Sequence, residues 1–148
     1  MKQYAFLIAA LLASNICLAG AWGPKSFDND DALDFVQLCI ASKSPAPIAA
    51  ALQAAIKPGT LEATEGAAAV VAAELVAAAK GKPNELPKEL GDWFKQQPKQ
   101  EIAKFSALAR KALARVKDPD TSELRQLWQE SGDKQWMNAM GDLDRRLR

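Results

Sequence analysis

The feature that most constrains the fold is an alanine-rich segment, residues 67–79, in which twelve of thirteen side chains are apolar and only Glu74 is charged. Gly81 and Pro83 follow at positions where these residue types end helices. A helix that is apolar on every side has no face to turn toward water, so other elements must enclose it. We therefore predict that residues 60–80 form a buried helix, called here the Ala-rich helix, at the centre of the fold.

The rest of the composition favours helices as the covering elements. Alanine accounts for 29 of the 148 residues, whereas the β-branched residues Val, Ile and Thr together account for 14. This balance favours helix over sheet, and no repeat or low-complexity linker divides the chain. The predicted fold class is all-α: a single domain built as a compact irregular bundle of about six to seven helices around the Ala-rich helix.

Apolar residues at three- and four-residue spacing, bounded by Pro, Gly and capping residues, predict the other helices. The first begins in the acidic segment 28–31 and continues through Ile40. The clearest amphipathic pattern lies in the helix predicted over residues 100–116. The remaining helices are predicted at 48–56, at 86–97, at 121–130 and from 133 to 147.

The beginning of the chain is typical of a secretory signal peptide. A short basic start precedes an apolar run over residues 4–13, and small residues then allow cleavage after Ala19 or after Ala21. The alternative is an N-terminal membrane anchor, but the run is shorter than the roughly 20 residues that cross a bilayer. We expect removal of the signal peptide, residues 1–19, to leave 20–148 as an exported helical domain, periplasmic or secreted, with no stable membrane anchor.

Charge and residue usage exclude several classes of function. Loss of the leader removes Lys2 and no acid, so 18 basic and 18 acidic residues remain and the formal net charge is zero. A protein that binds nucleic acid normally has a basic surface, so we expect no nucleic-acid partner for this neutral chain. The chain contains no histidine, which excludes histidine-dependent catalysis and removes the commonest metal ligand.

Cleavage would also remove Cys17 and leave Cys39 as a single thiol. Because Cys39 lies within an apolar stretch, we predict a small buried core residue. A reactive thiol and an intermolecular disulfide are the alternatives.

A run of acidic residues precedes and enters the first predicted helix. Calcium would suit alternating oxygen ligands, but an EF-hand loop would require Gly in place of Leu33 and Glu in place of Cys39. We therefore predict no metal site; the acids cap the helix and form an acidic edge that would steer a basic partner. The candidate partner-binding acids are Asp28, Asp30, Asp31 and Asp34.

Glu74 is the other polar candidate, because a buried carboxylate needs a partner, a proton or access to solvent. We expect a bond to a loop backbone or to an arginine such as Arg110 or Arg125; the alternative is a perturbed acid with a role in catalysis or in a pocket. No nucleophile elbow or phosphate-binding loop accompanies Glu74 in the sequence. The sequence therefore predicts no catalytic residue, no cofactor and no enzymatic activity, with an acid-dependent hydrolase as the distant alternative.

Four tryptophans are numerous for a chain of this size. Trp93, Trp128 and Trp136 occur at helical spacing and are predicted to lie in the core. Trp22 precedes the first helix, where it either packs back on the bundle as a lid or is presented to a partner.

Several strings of the sequence resemble a known family. The most specific are GAWG at residues 20–23 and FDNDDA at 27–32; the Ala-rich helix and LWQES at 127–131 agree with them. The chain resembles the bacterial domain-of-unknown-function family 4259 over essentially all of the predicted mature chain. The resemblance implies no activity, because the function of that family is unassigned.

The expected function is accordingly that of an exported, non-enzymatic module that binds another protein. Its most concrete form is a periplasmic immunity-type protein that neutralises a secreted toxin. The alternative is a small-ligand or envelope-stress binding protein with a pocket between helices, beside Trp22 and Glu74.

Overall fold

The structure is a computed structural model that describes residues 23–148, and the described chain forms eight α-helices without a named strand. The all-α prediction is confirmed. The predicted signal peptide and Trp22 lie outside the described residues. The helices, numbered in chain order, are α1 (Asp30–Ala41), α2 (Ala46–Ala55), α3 (Ala63–Ala79), α4 (Lys88–Lys95), α5 (Lys99–Ala103), α6 (Ser106–Val116), α7 (Glu123–Ser131) and α8 (Lys134–Leu147).

The Ala-rich helix, α3, forms the centre of the bundle, as its composition requires. It contacts α1, α2, α5, α6, α7 and α8, and all nine residues from 69 to 77 are buried. Its small side chains let neighbours approach closely: a Cβ atom added at Gly66 would lie 3.2 Å from Cβ of Leu124 on α7. No face of α3 is left for solvent over these residues, so every surrounding helix can bury its apolar stripe against it.

The helix predicted over residues 100–116 is two helices, which raises the number found in the described part of the chain to eight. The N–H groups of Lys104 and Phe105 bond to carbonyls only three residues back, at 3.2 and 3.0 Å, and this tight turn ends α5. Ile102 before the turn and Leu113 after it are both buried. The break lets two short segments each turn an apolar face inward, and neither Gly nor Pro marks it in the sequence.

The end of α8 is fixed against two other helices. Lys80 Nζ, just beyond α3, donates hydrogen bonds to the backbone oxygens of Leu147 at 2.5 Å and Arg148 at 2.7 Å. The hydroxyl of Ser106, at the start of α6, also donates to the Leu147 carbonyl at 2.5 Å. Carbonyl groups that a helix end leaves without intrahelical partners are thus satisfied from outside. Between residues 23 and 148, no helix has the length and apolar character needed to cross a membrane.

Candidate functional site

Glu74 lies in the middle of α3 and is 1% exposed. Its carboxylate accepts two hydrogen bonds from the guanidinium of Arg146 on α8: Nη1 donates to Oε2 at 2.7 Å and Nη2 to Oε1 at 2.9 Å. The hydroxyl of Ser26 donates a third, to Oε1 at 2.7 Å. This bidentate ion pair satisfies the buried carboxylate, which is tied to the segment before α1 and to α8 at the same time.

The arginine that meets Glu74 is neither of the two named from the sequence. Arg110 lies 3.8 Å from Asp144, and Arg125 forms an ion pair with Asp133. Both partner suggestions were therefore wrong in identity, although the partner is an arginine. Which arginine reaches the centre is decided by how α8 packs on α3, and no local sequence signal reports that packing.

Arg146 is held by more than one acceptor. Its Nε donates to Oδ2 of Asp142 at 2.8 Å, one turn earlier on α8. Burial disfavours the charge on Arg146, but the hydrogen bonds to Glu74 and Asp142 and the negative charges of these two residues together outweigh burial and raise the pKa of the guanidinium above its ordinary value. Donors engage both oxygens of Glu74, so the carboxylate links α3 to α8 through Arg146 and to the segment before α1 through Ser26.

Ser26 is brought to Glu74 by a compact turn. The Asp28 carboxylate accepts a hydrogen bond from the Lys25 N–H at 3.2 Å, and the Asp28 N–H donates to the Lys25 carbonyl at 3.2 Å. A Cβ atom on Gly23 would lie 2.4 Å from Oδ2 of Asp28, so glycine fits where a side chain would displace that carboxylate. Asn29 then caps α1 by accepting the Ala32 N–H at 2.8 Å. Asp28 therefore stabilises the turn in which it lies.

The other three acids of the predicted edge lie on α1. Asp30 and Asp34 are exposed and Asp31 is half-exposed. Asp30 and Asp31 occupy the first turn, where a negative charge interacts favourably with the helix dipole. None of the three forms an ion pair with a Lys or Arg of residues 23–148. The structure therefore presents three acids, not four, as an acidic edge.

The outer side of α1 changes from acidic to apolar along its length. Leu38 is 57% exposed and lies one helical turn after Asp34, on the same side of the helix. Ala41 is exposed at the end of the same stripe. We call the side formed by Asp30, Asp34, Leu38 and Ala41 the α1 outer face.

Sequence reasoning missed Leu38 because it lies inside an apolar stretch and looks like core. The available signal was its phase. Phe35, Val36 and Cys39 define the buried side of α1. Leu38 lies outside that stripe, on the same side of the helix as Asp30 and Asp34.

A shallow apolar groove of about 230 Å³ opens beside Leu38. It runs between α1 and α2 and reaches the first turns of α3. We call it the α1–α2 groove. Its lining residues are Phe35, Leu38, Pro47, Ala50, Ala51, Ala54, Glu65 and Ala68.

A second, polar cleft of about 460 Å³ lies between the segment before α1 and the loop that joins α3 to α4. Ser26 lines it from one side and Leu86 from the other, with the charged residues Lys25, Asp28 and Lys88 around them. Glu74 does not line the cleft. The pocket expected beside Trp22 and Glu74 stays a prediction, because Trp22 lies outside the described residues.

The three tryptophans within the described residues all contribute to the packed interior. Trp93 and Trp136 are buried, and the Trp93 indole N–H donates to the Ser42 carbonyl at 2.7 Å. Trp128 is half-buried and stacks on Trp136, with ring centroids 6.0 Å apart and an interplanar angle of 14°.

Cys39 is a free thiol that is 0% exposed in α1. Burial raises the pKa of the thiol from 9.0 to about 12. At a pH below 9 this change lowers the thiolate fraction about a thousandfold. The structure therefore favours the prediction of a core residue over that of a reactive thiol.

We expect the Cys39 thiol to resist modification in the folded protein. In a Cys17→Ser background, labelling by an aromatic disulfide reagent at pH 8 should be about a thousandfold slower than in denaturant. The denatured chain is the control, and it should label completely at the ordinary rate. Equal rates in the folded and denatured states would contradict the burial of this thiol.

Comparison with known families identifies the family to which this helical protein belongs. A family model described as Domain of unknown function (DUF4259) matches residues 20–139. The chain belongs to this family. No curated protein matches the chain, and no solved structure matches it. Within the family string at residues 27–32, Asp28 closes the turn, Asn29 caps α1 and Ala32 is fully buried.

Proposed function

We propose that this protein is an exported, non-enzymatic module that binds another protein through the α1 outer face. The observation that carries the proposal is the exposure of Leu38, 57%, on a helix side that is acidic one turn earlier. The side chain of a solvent-exposed leucine contributes little hydrophobic free energy to folding. A partner that covers it would gain the free energy of removing its apolar surface from water.

Charge indicates what kind of partner would suit this face. Apart from the buried Glu74, the helices α1, α2 and α3 contain four acids, all exposed or half-exposed, and no Lys or Arg. A basic partner would gain favourable electrostatic steering toward this side of the bundle. The most concrete form of the proposal is a periplasmic immunity-type protein that neutralises a secreted toxin, supported by the leader-like start, the small domain and the acidic face.

The second candidate is binding of a small ligand in the polar cleft beside Ser26. Its volume of about 460 Å³ lies within the range of ligand pockets. Its charged lining, with both signs represented, would suit a zwitterionic or polar molecule more than an apolar one.

Affinity capture from a periplasmic extract tests the first proposal against the second. The wild-type protein should retain one protein partner in near-stoichiometric amount, and Leu38→Asp should weaken retention at least tenfold, which corresponds to about 1.4 kcal/mol. The matched control is Leu127→Asp, since Leu127 is also half-exposed, at 50%, but lies on α7. This control should bind as the wild type does.

Two results would contradict the proposal. One is partner retention that Leu38→Asp and Leu127→Asp affect equally. The other is repeated capture of no protein together with a small molecule that copurifies, which would favour the polar cleft. Asp30→Lys combined with Asp31→Lys tests the acidic edge separately, and unchanged binding would exclude these two acids from the interface.

A further inference from the structure

The inference concerns the α1–α2 groove and rests on the proposed function. Its two sides are formed by Leu38 on α1 and by Pro47, Ala50 and Ala54 on α2. The apolar lining continues past Leu38 to Ala41 and Ala46, at the junction of the two helices. The surface is thus elongated and apolar, and it follows the direction of α1 and α2.

The groove is shallow because half of its lining side chains are alanines. Ala50, Ala51, Ala54 and Ala68 each end at Cβ, so the backbone of an approaching segment can come close to α2 and α3. An amphipathic helix that lays its apolar face into such a groove is a common mode of peptide recognition. An extended segment would find no exposed sheet edge here, since the groove is walled by helices.

Charge at the groove selects the helix that would fit. Glu65 lines the groove and is exposed, and Asp34 lies one turn before Leu38. Neither carboxylate is paired with a base of the described chain. Glu65 occupies the first turn of α3, where it favours the helix dipole, but Asp34 lies beyond the first turn of α1 and has no such local role.

A second copy of this chain is a poor occupant. In a two-fold dimer the same surface patch of each copy faces the other. The helices α1, α2 and α3 would then bring further acids and no Lys or Arg to Asp34. Charge complementarity therefore favours a different protein, one that carries basic residues next to its apolar stripe.

We propose that the α1–α2 groove receives one amphipathic helix of the partner, whose apolar side chains cover Leu38 and whose adjacent Lys or Arg pairs with Asp34. Leu38 and the alanines of α2 supply the apolar contact. Asp34 and Glu65 supply the selection for positive charge.

Two synthetic helical peptides provide the probe. Both carry Leu at three- and four-residue spacing in an Ala-rich sequence; one has Lys beside the Leu stripe and the other has Glu at the same positions. Titration into the ¹⁵N-labelled protein, followed by amide chemical shifts, should show the Lys peptide binding at α1 and α2 at least tenfold more tightly than the Glu peptide. Asp34→Lys should reverse this preference, and added salt should weaken it.

Ala50→Arg should fill the groove and abolish binding of the Lys peptide, and Ala107→Arg on α6 is the matched control because Ala107 is exposed on another helix. Shifts confined to residues outside α1, α2 and the first turns of α3, equal affinity for the two peptides, or binding that survives Ala50→Arg would overturn the inference. Self-association that depends on concentration and is lost in Ala50→Arg would overturn it in favour of a second copy.

The outcome separates this inference from the proposed function. If capture of the natural partner depends on Leu38 but is unchanged by Ala50→Arg, the helix-in-groove inference fails while the proposed function stands. If capture is unaffected by either substitution, both fail.

Discussion

Replacement of Arg146 by Met is expected to lower the free energy of unfolding by about 3–5 kcal/mol, because it leaves the buried Glu74 carboxylate without its cation. Glu74 is 1% exposed, and Arg146 supplies two of its three hydrogen bonds. The loss should appear in urea denaturation as a lower midpoint with an unchanged dependence on denaturant. It should exceed most single substitutions in a domain of this size.

Two companion variants make the result specific. Arg145→Met removes the neighbouring arginine, whose side chain is 70% exposed and whose ion pair with Asp142 lies on the surface, and it should change stability by no more than about 0.5 kcal/mol. Glu74→Met combined with Arg146→Met removes both charges and should recover most of the loss. An Arg146→Met variant as stable as Arg145→Met would show that the pair does not hold α8 to α3.

Replacement of Ala72 by Leu is expected to cost about 1–3 kcal/mol, or to prevent folding, because three added carbon atoms have no room at the centre of the bundle. Ala72 is 0% exposed, as are its neighbours Val71 and Ala73. Since α3 is covered on all sides, a larger side chain cannot rotate outward to water. The measurement is again equilibrium unfolding in urea.

Ala114→Leu is the matched control for Ala72→Leu. Ala114 lies on α6 and is exposed, so the same substitution should change the free energy of unfolding by less than about 0.5 kcal/mol there. Similar losses at the two positions would mean that helix propensity rather than packing determines the cost. An unaltered stability of Ala72→Leu would contradict the close packing around α3.

Both of these effects concern α3, and α3 is also the element that sequence reasoning predicted best. Its apolar character on every side requires burial whatever the other helices do. The break between α5 and α6 could not be predicted in the same way. Phe105 continues the apolar stripe of residues 100–116, and only the packing of Ile102 and Leu113 against the bundle makes two helices of one pattern.

The candidate sites show the same division between local and distant information. Glu74 was conspicuous as the one charge in an apolar helix, but Arg146 lies 72 positions away, and only the docking of α8 brings the two together. Asp28 looked like surface charge because its closest partner, the Lys25 N–H, belongs to the backbone and leaves no mark in the sequence. Leu38 looks like a core residue in the sequence because its apolar neighbours are buried, but those neighbours lie on the other side of α1.

The link between Ser26, Glu74 and Arg146 has a consequence for the order in which the chain can fold. Ser26 is 48 positions before Glu74, and Arg146 is 72 positions after it. A chain that has emerged only as far as α7 lacks Arg146, the cation that pairs with the Glu74 carboxylate in the folded protein. We therefore expect α3 to be enclosed only after α8 has been made, so that the docking of the Ser26 segment on Glu74 depends on the final turn of α8.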